Sequence, residues 1–376
     1  MDCCKLAWIM ATEGCRYLWY RDPIDSISSL SRRCIRVNIV FVKIFQAVAV
    51  KYLGSTLKAE MIPYDPEEID LPSIDGLSNL TIIGAGMISI VFEGTLNGKS
   101  VVIKTRRKNI EAKIERGLLQ TDRILRLLQY LPLVRPFNVH TFVAEIRESF
   151  YNQLSYASEA RFQEKFSEAF SYAADVRIPK IIQQSDTFIL MEKLAGVSFA
   201  DIPADSKVEY LKILAKVILK SNHIDGIMHG DLHVGNVVFM PGPTLGVIDF
   251  GLSYDMSRAE QNFMFHLLGN LVKKDYSAAA KLFVDDCLVH PLAAPERGRA
   301  ADEISRLLEH CAETTMLIGL SEIVQICQVM RRHRGSMDPK CYRLLMAVAA
   351  SDILMQQLSP LAITHVSDIY RSLFLQ

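Results

Sequence analysis

None of the eight cysteines, at Cys3, Cys4, Cys15, Cys34, Cys287, Cys311, Cys327 and Cys341, forms a Cys-x-x-Cys pair. That excludes the common zinc ribbons and thioredoxin-type redox centres. The expectation is free thiols of a reducing compartment, with the adjacent Cys3 and Cys4 as the one place where acylation would fit. Charge of one sign is not in excess either, since 42 Lys+Arg balance 42 Asp+Glu. Bulk electrostatics therefore offers no grip on nucleic acid. No run reaches the ~18 to 20 uninterrupted apolar residues of a membrane span. The nearest candidate, residues 37–50, is broken by Asn38, Lys43 and Gln46 and reads as a packed helix. Asp2, Glu13 and Asp22 suit neither a secretory signal nor an acid-poor transit peptide. The expected location is thus cytoplasmic or peripheral to a membrane, and Arg106-Arg107-Lys108 is the local basic patch that membrane attachment would use, unless it is simply a solvated loop. Repeats and low-complexity tracts are absent. With 376 residues, 50% of them hydrophobic and 22% charged, the chain is long and apolar enough for a two-lobed globular protein.

The order of patterns along the chain predicts an α+β architecture. Residues 1–34 show no clean period, 35–60 are helix-like, and the Pro- and acid-rich stretch 62–77 reads as a linker. Three short β-rich runs follow at 80–83, 90–94 and 100–104, with Asn97-Gly98 as a hairpin turn. Ile110, Ile114, Leu118, Leu125 and Leu128 share one stripe of a helix that Pro132 ends. One further helix is expected over about 143–170, a strand over 187–191 and a hinge near 195. Beyond it come a helix over 207–222, a hairpin around Pro241-Gly242-Pro243 and, from 257 on, helices alone. Strands in front and helices behind imply a small β-containing lobe and a larger helical one. The predicted division is 1–77 as a helical extension and linker, 78–196 as the N-lobe and 197–376 as the helical C-lobe.

Chemistry concentrates in His229-Gly230-Asp231-Leu232-His233-Val234-Gly235-Asn236 and, after the hairpin, Asp249-Phe250-Gly251. Phosphoryl transfer needs a carboxylate near the accepting hydroxyl and oxygen ligands for Mg²⁺ on the phosphates. Asp231 and Asn236 have the D-x-x-x-x-N spacing of a kinase catalytic loop, and the hairpin returns Asp249 beside Asn236. Either string alone is weak; both, in this order, predict one metal site, Asn236 with Asp249, and a base or nucleophile-orienting residue, Asp231. Upstream, the glycine turn Gly84-Ala85-Gly86, running on to Val91, and the strand-end Lys104 would contact nucleotide phosphates.

Taken together, the segments resemble the UbiB, or aarF-domain, family of atypical kinases. The resemblance rests on Lys104-Thr105-Arg106-Arg107-Lys108-Asn109-Ile110, Tyr156-Ala157-Ser158-Glu159-Ala160, Val176-Arg177-Ile178-Pro179-Lys180, Met191-Glu192-Lys193-Leu194-Ala195-Gly196 and the two acidic motifs. It implies a protein-kinase-like fold, ATP and Mg²⁺ as cofactors, and a tie to prenyl-quinone or other lipid metabolism at a membrane surface. The family has a K-x-G-Q motif on a helical extension over the active site; Lys43-Ile44-Phe45-Gln46 keeps its Lys and Gln and has Phe45 in place of Gly. The resemblance therefore gives Lys43 and Gln46 active-site roles. Where the family has an alanine-rich loop, this chain has Gly84-Ala85-Gly86; where it has E-x-D before Tyr, this chain has Gln153-Leu154-Ser155. Glu159, or else Glu148, would then take the ion-pair role. Ala294-Pro295-Glu296 lies too far beyond Asp249 to mark an activation segment. The resemblance to a family without a substrate-docking activation segment argues against protein substrates. Two rival readings stand beside an ATP-dependent kinase or ATPase. One is a small-molecule phosphotransferase of the aminoglycoside or choline kinase type, and the other is a pseudokinase acting as a nucleotide-dependent binding module.

Overall fold

A computed structural model describes Asn38, Val40 and residues 69–128, 139–197, 199–313 and 318–374. The chain divides into two compact units: unit 1 holds residues up to Tyr156 together with Ser185–Leu190, and unit 2 holds Ala157–Gln184 and Met191–Gln376.

In unit 1, β1 (Leu77–Ala85), β2 (Ser89–Leu96) and β3 (Lys99–Arg106) form an antiparallel meander, and β6 (Phe188–Glu192) follows β3 in the strand order. Asn97 and Gly98, both at positive φ (49° and 80°), make the two-residue turn whose twist matches the flanking strands. Alternation puts Ile90, Phe92, Val101 and Ile103 on one face, where they pack with Phe188 and Leu190. A second apolar cluster joins α1 (Ile110–Leu128) to α2 (Val139–Leu154). It contains Ile110, Ile114 and Leu118 from the first helix and Ile146, Phe150 and Leu154 from the second, each set at four-residue spacing. Val40 joins this cluster, and Asn38 donates from Nδ2 to Gly117 O at 2.9 Å. A Cβ on Gly117 would stand 2.5 Å from Asn38 Oδ1, so glycine there is what lets Asn38 and Val40 approach α1.

The single helix expected over 143–170 is two, α2 and α3 (Tyr156–Ala169), interrupted at Ser155. The two helices serve different cores. Leu154 ends in the α1–α2 cluster, whereas Phe162 and Phe166 of α3 bury among unit 2 residues such as Leu211, Leu214 and Phe250.

Unit 2 contains two short strands, β4 (Val176–Arg177) and β5 (Ile181–Gln184), and then α4 (Lys207–Leu219). The expected helix end at 222 is instead a π-helical turn, Lys220–Asp225, closed by Gly226 in the left-handed region at φ 68°. Next come β7 (Ile227–Met228), the hairpin of β8 (Val237–Met240) and β9 (Thr244–Val247), and β10 (Tyr254–Asp255), which pairs with β7. Six helices complete the described chain: α5 (Arg258–Val272), α6 (Tyr276–Asp286), α7 (Ala294–Glu313), α8 (Leu320–Arg332), α9 (Pro339–Leu358) and α10 (Ala362–Phe374). A Ser257/Glu260 capping box starts α5, and Ala294-Pro295-Glu296 is simply the first turn of α7. The helical core is built on Phe283, Ile304, Ile323, Ile326, Met330 and Leu344. Among the described residues no helix is long and apolar enough to cross a membrane.

Candidate active site

Both acidic motifs lie in unit 2 and are tied to each other by backbone pairing. β7 delivers His229, and the following loop turns through a short 3-10 segment, Val234–Asn236, in which Gly235 N donates to His233 Nδ1 at 2.9 Å. Asn236 Nδ2 donates to the Asp231 carbonyl oxygen at 2.8 Å, closing the loop upon itself and leaving Oδ1 as the amide's ligand atom. Ile248 N donates to Asn236 O at 3.0 Å, which extends the β8–β9 ladder by one bond. Asp249 therefore follows immediately after the residue paired with Asn236. The predicted return of Asp249 beside Asn236 rests on that ladder.

Asp249 sits in the left-handed region at φ 59°, which Asp tolerates because its short carboxylate bonds locally. Here Gly251 N donates to Asp249 Oδ1 at 3.3 Å. Gly230 is also left-handed, at φ 79°, and a Cβ there would lie 2.1 Å from Leu252 O. Glycine is thus what lets the first loop pass against the second. Beneath them, the rings of His229, Phe250 and Phe166 of α3 pack edge-on or tilted with centroids 5.1 to 5.9 Å apart. Burial of His229 pulls its pKa below the ordinary value, so the ring is neutral at physiological pH. Its Nε2 lies 3.2 Å from Ile248 O, which assigns the proton to that nitrogen, and Ser253 Oγ donates to His229 O at 3.2 Å. No sequence motif pointed to Ser253, which gains its place only by folding.

The donors suit a hard cation. An amide oxygen and carboxylates match Mg²⁺, which is ordinarily held by one or two carboxylates plus substrate phosphates rather than by an all-protein cage. The described residues contain no cluster of three or more His, Cys, Asp or Glu arranged for a metal. Asp231 Oδ2 is 3.7 Å from His233 Nε2, and its side chain is about one-third exposed.

In unit 1, Gly84 pairs with Val91 and Val91 with Lys104, so three of the predicted nucleotide contacts form one row across β1, β2 and β3. Lys104 is half-buried on the face opposite Val101 and Ile103. The glycine turn is tighter than expected of a phosphate cradle. Gly86 N donates to Ser89 O at 2.9 Å, Arg107 Nε donates to Gly86 O at 3.0 Å, and Met87 and Ile88 are buried in the α1–α2 cluster. The Gly86 N–H is therefore committed within the protein. Arg107, expected in a solvated basic loop, is 4% exposed and pins this turn instead. Ser89 Oγ and Tyr156 OH add a hydrogen bond of 2.8 Å. Glu159 is buried on α3 in unit 2. Lys43 and Gln46 lie outside the described residues.

The profile of the ABC1 atypical kinase-like domain matches residues 79–283, more than half of the chain. The chain belongs to that family. Among curated proteins it is 27% identical over 229 residues to Protein ACTIVITY OF BC1 COMPLEX KINASE 1, chloroplastic, of Arabidopsis thaliana, covering 58% of this chain and 34% of the relative. It is 25% identical over 303 residues to the probable protein kinase UbiB of Aeromonas salmonicida, covering 74% and 54%. The chain thus spans between a third and about half of the length of these relatives. Among solved structures, that of Rv3197 of Mycobacterium tuberculosis in complex with erythromycin superposes with a TM-score of 0.54 at 17% identity, covering 98% of this chain and 90% of that one. That likeness supports the kinase-like fold, with its antiparallel sheet and many helices.

Proposed function

We propose that this ABC1-family chain binds ATP with Mg²⁺ and catalyses phosphoryl transfer or ATP hydrolysis. The observation that carries the reading is the self-closed loop in which Asn236 holds the Asp231 carbonyl while its own carbonyl pairs with the residue before Asp249. Asn236 Oδ1 and the Asp249 carboxylate would hold the metal, which when bound neutralises phosphate charge. Asp231 accepts the proton of an attacking hydroxyl or orients it, and Lys104 supplies a cation to the α and β phosphates. A lipid at a membrane surface is the proposed acceptor or regulator.

A pseudokinase is the second reading, favoured by Gln153 and Ser155, which stand where the family carries two acids just before Tyr156. Hydrolysis of ATP by the wild type and by Asp231→Asn, with and without detergent-dispersed lipid, separates the two. The enzyme reading expects a loss of at least about a hundredfold in the variant, whereas equal rates favour the pseudokinase. Thermal-shift titration with Mg·ATP tests the binding both share, because a ligand that prefers the native state raises its melting temperature. The shift is expected to vanish in Asp249→Asn.

A further inference from the structure

The segment that leaves Asp249 is bonded to the strand that enters the catalytic loop at successive points. Ser253 Oγ reaches His229 O, Tyr254 and Asp255 pair with Met228 and Ile227, and Met256 N donates to Gly226 O at 2.8 Å. Asp255 thus lies on the ladder that joins the two motifs. Asp255 in turn is gripped from outside. Arg161 Nη1 donates to Oδ2 at 3.1 Å and Lys165 Nζ to Oδ1, so both carboxylate oxygens are held by cations one turn apart on a single face of α3. The same helix places Phe166 against Phe250 and His229. Burial would raise the Asp255 carboxyl, but the hydrogen bonds and charges of Lys165 and Arg161 outweigh it and hold it below the usual carboxylate range. All three side chains are one-third to one-half exposed, so the latch adds little to global stability. Its consequence is local.

We propose that Asp255, latched to α3 by Arg161 and Lys165, is a positioning residue that sets the Asp249 loop for metal-dependent nucleotide binding. The inference rests on the reading of Asn236 and Asp249 as the metal site. A splint of this kind fixes where the Asp249 carboxylate stands without touching nucleotide or metal.

Calorimetric titration of the full chain with Mg·ATP, and separately with ATP in EDTA, tests it. Asp255→Asn is expected to weaken Mg·ATP binding about fivefold, the scale of an exposed ion-pair pair, to leave metal-free ATP binding unchanged, and to be rescued by Asp255→Glu. The double variant Arg161→Gln/Lys165→Gln is expected to show the same loss, with no addition when combined with Asp255→Asn. If Asp255→Asn folds poorly by circular dichroism, that surface double variant carries the test by itself. An unchanged affinity, or an equal loss in both titrations, overturns the latch. A wild type that binds neither form of ATP overturns the reading of the site and the latch with it.

Discussion

At the scale of single residues, the site depends on backbone conformations that few side chains accept. Gly230 is the sharpest case, because both its φ of 79° and the 2.1 Å approach of Leu252 O exclude a Cβ. Gly230→Ala is expected to cost about 2 kcal/mol or more, read as a lower midpoint in urea, since the obstacle is backbone rather than a flexible side-chain end. Gly86→Ala is the internal control: a Cβ there would meet only Ser89 O, at an ordinary 3.6 Å. The sequence displayed Asp231, Asn236 and Asp249 through their spacing. It did not display that Arg107 is buried against Gly86, because a run of three basic residues reads as solvated until a carbonyl is found within its reach.

Between elements, the clearest polar joint links α7 to the end of α8. His333 caps α8, its Nδ1 lies 2.6 Å from Glu296 Oε2 and its Nε2 2.8 Å from Glu303 Oε1, both on α7. Two acceptors on two ring nitrogens require the imidazolium, so the hydrogen bonds to Glu296 and then Glu303 raise the histidine's pKa above its ordinary 6.5. The stabilisation is complete below that ordinary value and is lost as pH rises through the raised one. His333→Gln is accordingly expected to flatten the decline of urea stability as pH rises above about 6.5, with little change in that decline counting against the joint. Hairpins at this scale were legible, since Asn97-Gly98 and the turn near Gly242 carry their own chemistry. The break at Ser155 was not, because the polarity of 143–170 is mixed and nothing local separates a residue that packs on α1 from one that packs under Phe250.

For the whole molecule, buried ionisable groups set opposing pH slopes. Burial pushes the carboxyl of Asp352, on α9, up to about 7. Its folded form therefore prefers the proton, and stability falls as pH rises from about 4 to about 7. Burial pulls His223 down to about 4, so its contribution is present above its ordinary 6.5 and is lost as pH falls toward 4. Asp352→Asn removes the first slope, and its gain over the wild type is expected to be greater at pH 8 than at pH 4 by on the order of 3 kcal/mol. An equal gain at both pH values in chemical denaturation would show that Asp352 is not titrating in the folded protein.

What the amino-acid order determined by itself was the strand-then-helix succession and the hairpin that ties the Asn236 and Asp249 segments together, while the kinase-like class came from the resemblance of its motifs to a known family. The first two follow from periodicity and turn chemistry, which act over a few residues. Tertiary structure alone decided that the glycine turn is clamped by Arg107, that α2 and α3 serve separate cores, and that Asp255 is held by α3. Each depends on groups far apart in sequence, such as Arg161 and Asp255, 94 positions from one another, whose meeting no local pattern encodes.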